Sequence, residues 1–130
     1  MSTFSSDLRQ SLGRKGESLA AEYLQKKGYK IIERNWKPQK WGEIDLIAID
    51  HDTLVFVEVK ARSVDPQLKP YEAVTDHKIQ TLKRAGFIYS QEHPQLPKAL
   101  RIDVVSVEFD ERQKPKIEYF KDVREGIDKK

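Results

Sequence analysis

The residues of this 130-residue chain best suited to chemistry lie on two adjoining apolar runs, Glu43 to Ile49 and Leu54 to Ala61. Asp50-His51-Asp52-Thr53 joins the runs and reads as a hairpin turn. With His51-Asp52 as a two-residue turn, Asp45 faces Glu58, and Glu43 faces Lys60 further from the turn. Directly opposed residues hold their Cβ atoms about 4.5–5.5 Å apart. Toward the turn the same face continues as Ile47 opposite Phe56 and Ile49 opposite Leu54. The other face carries Ile44, Leu46, Ala48, Val55, Val57 and Val59, so both faces need covering elements. Two carboxylates opposed at the end of such a hairpin repel unless something neutralises them. A hard divalent cation such as Mg²⁺, which prefers oxygen ligands, would do so. Lys60 points the same way as Glu58 and could meet an attacking water or a phosphate. The plainer alternative is a cross-strand charge cluster of Glu43, Asp45, Glu58 and Lys60 at an exposed sheet end. Register alone leaves both open, and a bulged turn would shift it by one residue.

Other elements must position this hairpin. Gly13 and Gly16 bracket the start of a helix whose apolar positions Leu19, Ala20, Tyr23 and Leu24 recur at three- and four-residue spacing, until Gly28 stops it. Lys30 to Trp36 reads as a first strand, and KPQKWG as a loop. After a Pro-containing connection over 62–74, Thr75 is a plausible N-cap for a second helix. That helix carries Ile79, Leu82, Ala85, Phe87, Ile88 and Tyr89 and ends before Pro94. Leu100 to Phe109 is a further strand, with Lys116 to Phe120 as its partner across a turn. A helix between the third and fourth strands implies a right-handed crossover, hence an α/β fold with a mixed sheet and packed helices. Residues 1–12 are expected to be a flexible arm, 13–121 the single domain and 122–130 a solvated tail.

Composition narrows the function classes. The length fits one core. Cysteine is absent, which excludes disulfides, thiolate zinc sites and a cysteine nucleophile. The longest apolar stretch, Leu54 to Val57, is too short to span a bilayer, and MSTFSSDLRQ lacks signal-peptide features. A cytoplasmic protein with no membrane partner is expected. The net charge of +3 permits nucleic-acid binding without demanding it. Lys78, Lys83 and Arg84 on the second helix, with Arg62 after the hairpin, are the candidate phosphate-backbone contacts. Such charges are as often simply solvated. His51, His77 and His93 are scattered, with His51 most simply a turn residue. Trp36 and Trp41 read as a hydrophobic plug before the hairpin, and Asp103 inside an apolar strand needs Arg101 or a backbone donor. Glu17 could be a solvated acid near a helix N-terminus.

Asp45 followed by Glu58-Val59-Lys60 resembles the PD-(D/E)xK nuclease signature, an acid on one strand before E-x-K on the next. More closely, GRKGESLAAEYLQKKGY, WGEIDLIAIDHDTLVFVEVKAR, EAVT and RIDVV, in that order, resemble the small uncharacterised bacterial YraN-like family. The resemblance runs from about Gly13 to Val107. It implies the restriction-endonuclease-like fold, a size like that of Holliday-junction resolvases, and hydrolysis of DNA phosphodiester bonds with Mg²⁺ or Mn²⁺. RNA is the alternative substrate, a homodimer is one open assembly, since two sites are needed to cut two strands, and a binding module acting through a protein partner is the rival function. On this resemblance Asp45 and Glu58 are metal ligands, with the Val59 carbonyl as a third. Lys60 orients the hydrolytic water or stabilises charge on the phosphate, and Glu17 matches an acid near the metal. Ile44 stands where some relatives have Pro, and Arg84 breaks the Q-x-x-x-Y pattern that Gln80 would begin.

Overall fold

The computed structural model of this chain describes residues 3–40, 42–64 and 74–127. Its elements run α1 (Thr3–Lys26), β1 (Lys30–Trp36), β2 (Ile44–Asp50), β3 (Thr53–Ser63), α2 (Asp76–Glu92), β4 (Ala99–Phe109) and β5 (Pro115–Phe120). The five strands form one sheet in the order β1-β2-β3-β4-β5. Among the described strands only β3 and β4 pair in parallel, with α2 as the crossover between them. This is the mixed sheet between two helices expected of a restriction-endonuclease-like fold.

Both faces of the hairpin are buried, as its apolar alternation requires. Val55, Val57 and Val59 on β3 pack with Leu12, Ala20, Ala21 and Leu24 of α1. Leu54 and Phe56 pack with Ile79, Leu82, Ala85 and Tyr89 of α2. The register is the expected one: Ile47 pairs with Phe56, Ile49 with Leu54 and Asp50 with Thr53. His51 takes the left-handed turn conformation (φ 55°). Thr75 caps α2, its hydroxyl accepting from Lys78 N at 3.1 Å.

At both ends the structure differs from the expected organisation. α1 begins at Thr3 and buries Leu12, so residues 3–12 extend the helix rather than form an arm. Of the expected tail, residues 122–127 pack down. Val123 N donates to Ile102 O (2.7 Å), Ile127 N to Val74 O (2.6 Å), and both side chains join the core beneath α2. Phe87, one of the apolar positions of that helix, is 58% exposed, because it lies on the flank of α2 away from Leu82 and Ala85. Trp36 does plug the start of the loop, edge-on to Tyr89 with ring centres 5.0 Å apart. Trp41, Glu72, Ala73 and most of the 62–74 connection lie outside the described residues.

Gly16 sets the distance from α1 to the sheet. A Cβ there would sit 2.7 Å from the Ala61 Cβ, whereas at Gly13 it would meet nothing. Gly16→Ala is therefore expected to lose about 1–2 kcal/mol, overpacking strain outweighing better helix propensity. Gly13→Ala should gain up to about 1 kcal/mol. Thermal melts of the two variants check this pair, since opposite shifts are required.

Candidate active site

The site forms where the start of β2, the middle of β3, the end of β1 and the first turn of α2 meet. Extending the ladder one step beyond Leu46 and Val57 sets Asp45 opposite Glu58. Both are buried, Asp45 9% and Glu58 4% exposed. Asp45 Oδ2 accepts a 2.8 Å hydrogen bond from Val59 N, which aims the carboxylate across the hairpin. Glu58 Oε2 lies 3.9 Å from Lys60 Nζ and 3.5 Å from Lys78 Nζ. The α1 helix, laid close by Gly16, brings Glu17 in from the other layer. Single carboxylate oxygens of Glu17, Glu43 and Asp45 lie within 4.8 Å of one another.

The electrostatics follow from this crowding. Burial, then the neighbouring charge of Glu58, pushes the Asp45 carboxyl up to about 9, against the opposing pull of the Val59 N–H. Glu58 is also raised by burial, although Lys78 and Lys60 pull it back. Glu17 is raised by its partial burial and by Glu43. Asn35 binds the outer acids together. In the amide orientation that satisfies both neighbours it donates to Glu17 Oε1 (3.0 Å) and Glu43 Oε2 (3.2 Å). It does so from the left-handed region (φ 53°), which asparagine tolerates better than most residues.

The donor set is all carboxylate, and it is hard and anion-rich. That matches Mg²⁺ or Mn²⁺ and would suit soft metals poorly. Glu17, Glu43 and Asp45 are the acids close enough to share such a cation, and Glu58, which pairs with Lys60 and Lys78, would be its further ligand beside Asp45.

The profile of the uncharacterised protein family UPF0102, the YraN family, matches residues 16–107. The chain belongs to the UPF0102 family. A UPF0102 protein of Syntrophomonas wolfei is 46% identical over 100 residues, covering 77% of this chain and 86% of the relative. One from Geobacter metallireducens is 44% identical over 109 residues, covering 84% and 88%. One from Renibacterium salmoninarum is 37% identical over 110 residues, covering 85% and 92%. The UPF0102 match begins at Gly16 and takes in Glu17, Asn35, Glu43, Asp45, Glu58, Lys60 and Lys78. It stops before residues 122–127.

Five of the residues singled out in the sequence converge here: Glu17, Asp45, Glu58, Lys60 and Lys78. Val59 takes part through its N–H. Three others lie elsewhere. Arg62 pairs with Glu108 (2.5 Å). Lys83 donates to the Arg124 carbonyl at 3.5 Å, and Arg84 is exposed further along α2. Lys78 and Lys83, five residues apart, stand roughly 140° apart around a helix, so they do not form one stripe. Glu43 was expected opposite Lys60 but lies just outside β2, its Oε1 3.4 Å from Lys37 Nζ. Asn35 was not anticipated. Its position across β1–β2 from Asp45, between the Arg34–Leu46 and Trp36–Ile44 pairs, could be read only from the assembled sheet.

Proposed function

We propose that this chain hydrolyses phosphodiester bonds of DNA in a reaction that depends on Mg²⁺ or Mn²⁺. The observation that carries the reading is the pair of buried, opposed carboxylates, Asp45 and Glu58, with Lys60 Nζ 3.9 Å from Glu58. A bound cation would supply Lewis-acid charge and a water of lowered pKa. Asp45 and Glu58 would hold that cation, whose charge would offset their mutual repulsion. Lys60, 19% exposed and fixed on β3, presents a positive charge to the phosphate where negative charge grows in the transition state. Glu17 and Glu43 add negative charge beside Asp45. Cutting both strands of a duplex requires two such sites, which a homodimer supplies.

The test is cleavage of labelled junction, flap, single-stranded and duplex DNA, with an RNA strand alongside, in Mg²⁺, Mn²⁺ or EDTA. Cleavage is expected with metal only, and Glu58→Gln should lower it by about a thousand-fold or more. Because Gln keeps the volume of Glu and removes a buried charge, the variant should still fold. Salt-sensitive DNA binding without any cleavage would instead indicate a binding module.

A further inference from the structure

Lys78 reaches a buried carboxylate although its own side chain is 44% exposed. It lies in the first turn of α2, on the same side as Leu82 and Ala85, and its ammonium group points at Glu58 Oε2. Lys60 approaches that same oxygen from β3. Two cations thus share one carboxylate oxygen, and they differ in surroundings: the Lys60 side chain is 19% exposed and that of Lys78 is 44%. The backbone beneath Lys78 is fixed, with Lys78 N tied to Thr75 and the preceding Val74 bridged to Ile127. What freedom remains is in the side chain.

We propose that Lys78 is an exchangeable counter-ion of the site: it and the divalent cation compete for Glu58, and once displaced Lys78 binds the phosphate of the incoming strand. This rests on the metal-dependent reading and adds a second cationic residue outside the E-x-K segment. The physical reason is Coulombic. A divalent ion at Glu58 and an ammonium group on the same oxygen repel, and the residue with more solvent around it yields. Lys60 stays, held by the strand. The yielding side chain carries its charge outward, toward the side from which a polyanion arrives.

Two readouts test the exchange, and neither needs turnover. In calorimetric titrations with Mn²⁺ alone, Lys78→Met should bind about ten-fold more tightly than wild type, because one repulsive charge is gone. Lys78→Arg should stay close to wild type. In DNA binding measured across salt concentrations on a Glu58→Gln background, adding Lys78→Met should lower the slope of log affinity against log salt by about one. A residue that merely props up the helix would weaken Mn²⁺ binding when removed. Unchanged or weaker Mn²⁺ binding by Lys78→Met overturns the proposal, as does an unchanged salt slope. If both shifts occur and wild type cuts no nucleic acid, the counter-ion role stands and the nuclease reading falls. If wild type cuts and the shifts are absent, the reverse holds.

Discussion

Asp45→Asn is expected to melt at a higher temperature than wild type in EDTA at about pH 8, while losing Mn²⁺ binding and cleavage together. The carboxyl of Asp45 is raised from 3.8 to about 9, first by burial and then by Glu58. An acid raised on folding binds more protons in the folded state between those two values. Its contribution is therefore favourable at low pH and is lost as pH rises toward about 9. Asn keeps an oxygen that can accept from Val59 N and cannot ionise, so the gain over wild type should be small near pH 5 and reach about 1–2 kcal/mol near pH 8. Adding Mn²⁺ should reverse the order, because a ligand that binds only the folded wild type raises its melting point by mass action. Thermal melts at both pH values, with EDTA and with Mn²⁺, contain the whole prediction. Equal pH profiles for variant and wild type would mean that Asp45 is not the strained group of the site.

The hairpin was legible because its logic is local. An interior two-stranded unit with a two-residue turn has one register that buries its apolar pairs, and that register, carried one step past the Leu46–Val57 pair, opposes Asp45 to Glu58. The cap at Thr75 and the crossover helix were legible for the same reason. What failed depends on contacts distant in sequence. Residues 3–12 show weak apolar periodicity, and Gly13 and Gly16 look like punctuation. In the folded chain Gly16 is a contact point with Ala61, and the helix runs through it. Val123 and Ile127 are isolated among charges, and only the edge of the α2 layer makes them core residues. The site divides likewise. Asp45, Glu58 and Lys60 come from one hairpin, whereas Asn35, Glu43 and the inward turn of Lys78 are set by three separate elements.

Asp103→Ala should be the most damaging single truncation among the buried polar residues, costing about 3–5 kcal/mol. The contrast with Asp45 is instructive, since both are buried aspartates on apolar strands. Asp103 is fully buried and accepts from Arg101 Nε (2.9 Å) and Nη2 (3.0 Å), from the Tyr119 hydroxyl (2.5 Å) and from Asp122 N (2.9 Å). Arg101 is itself enclosed, and it reaches on to Asp50 (2.9 Å) and the Tyr29 hydroxyl (3.1 Å). Burial and the bond to Asp103 push the Tyr119 hydroxyl well above its ordinary range, so it remains a donor. Removing Asp103 strands a largely desolvated guanidinium with one carboxylate partner and leaves the Asp122 N–H unpaired, which also loosens the packed segment 122–127. Against a typical domain stability of about 5–15 kcal/mol, that loss should shift the unfolding midpoint far enough to be plain in a denaturant titration. Asp103→Asn, which keeps acceptor capacity but not charge, should fall between. The two aspartates then move stability in opposite directions for one reason. Donors surround Asp103, whereas among the described residues Asp45 accepts from Val59 N and otherwise faces acids, as a carboxylate kept for a cation would. If Asp103→Ala were as stable as wild type, that distinction would fail.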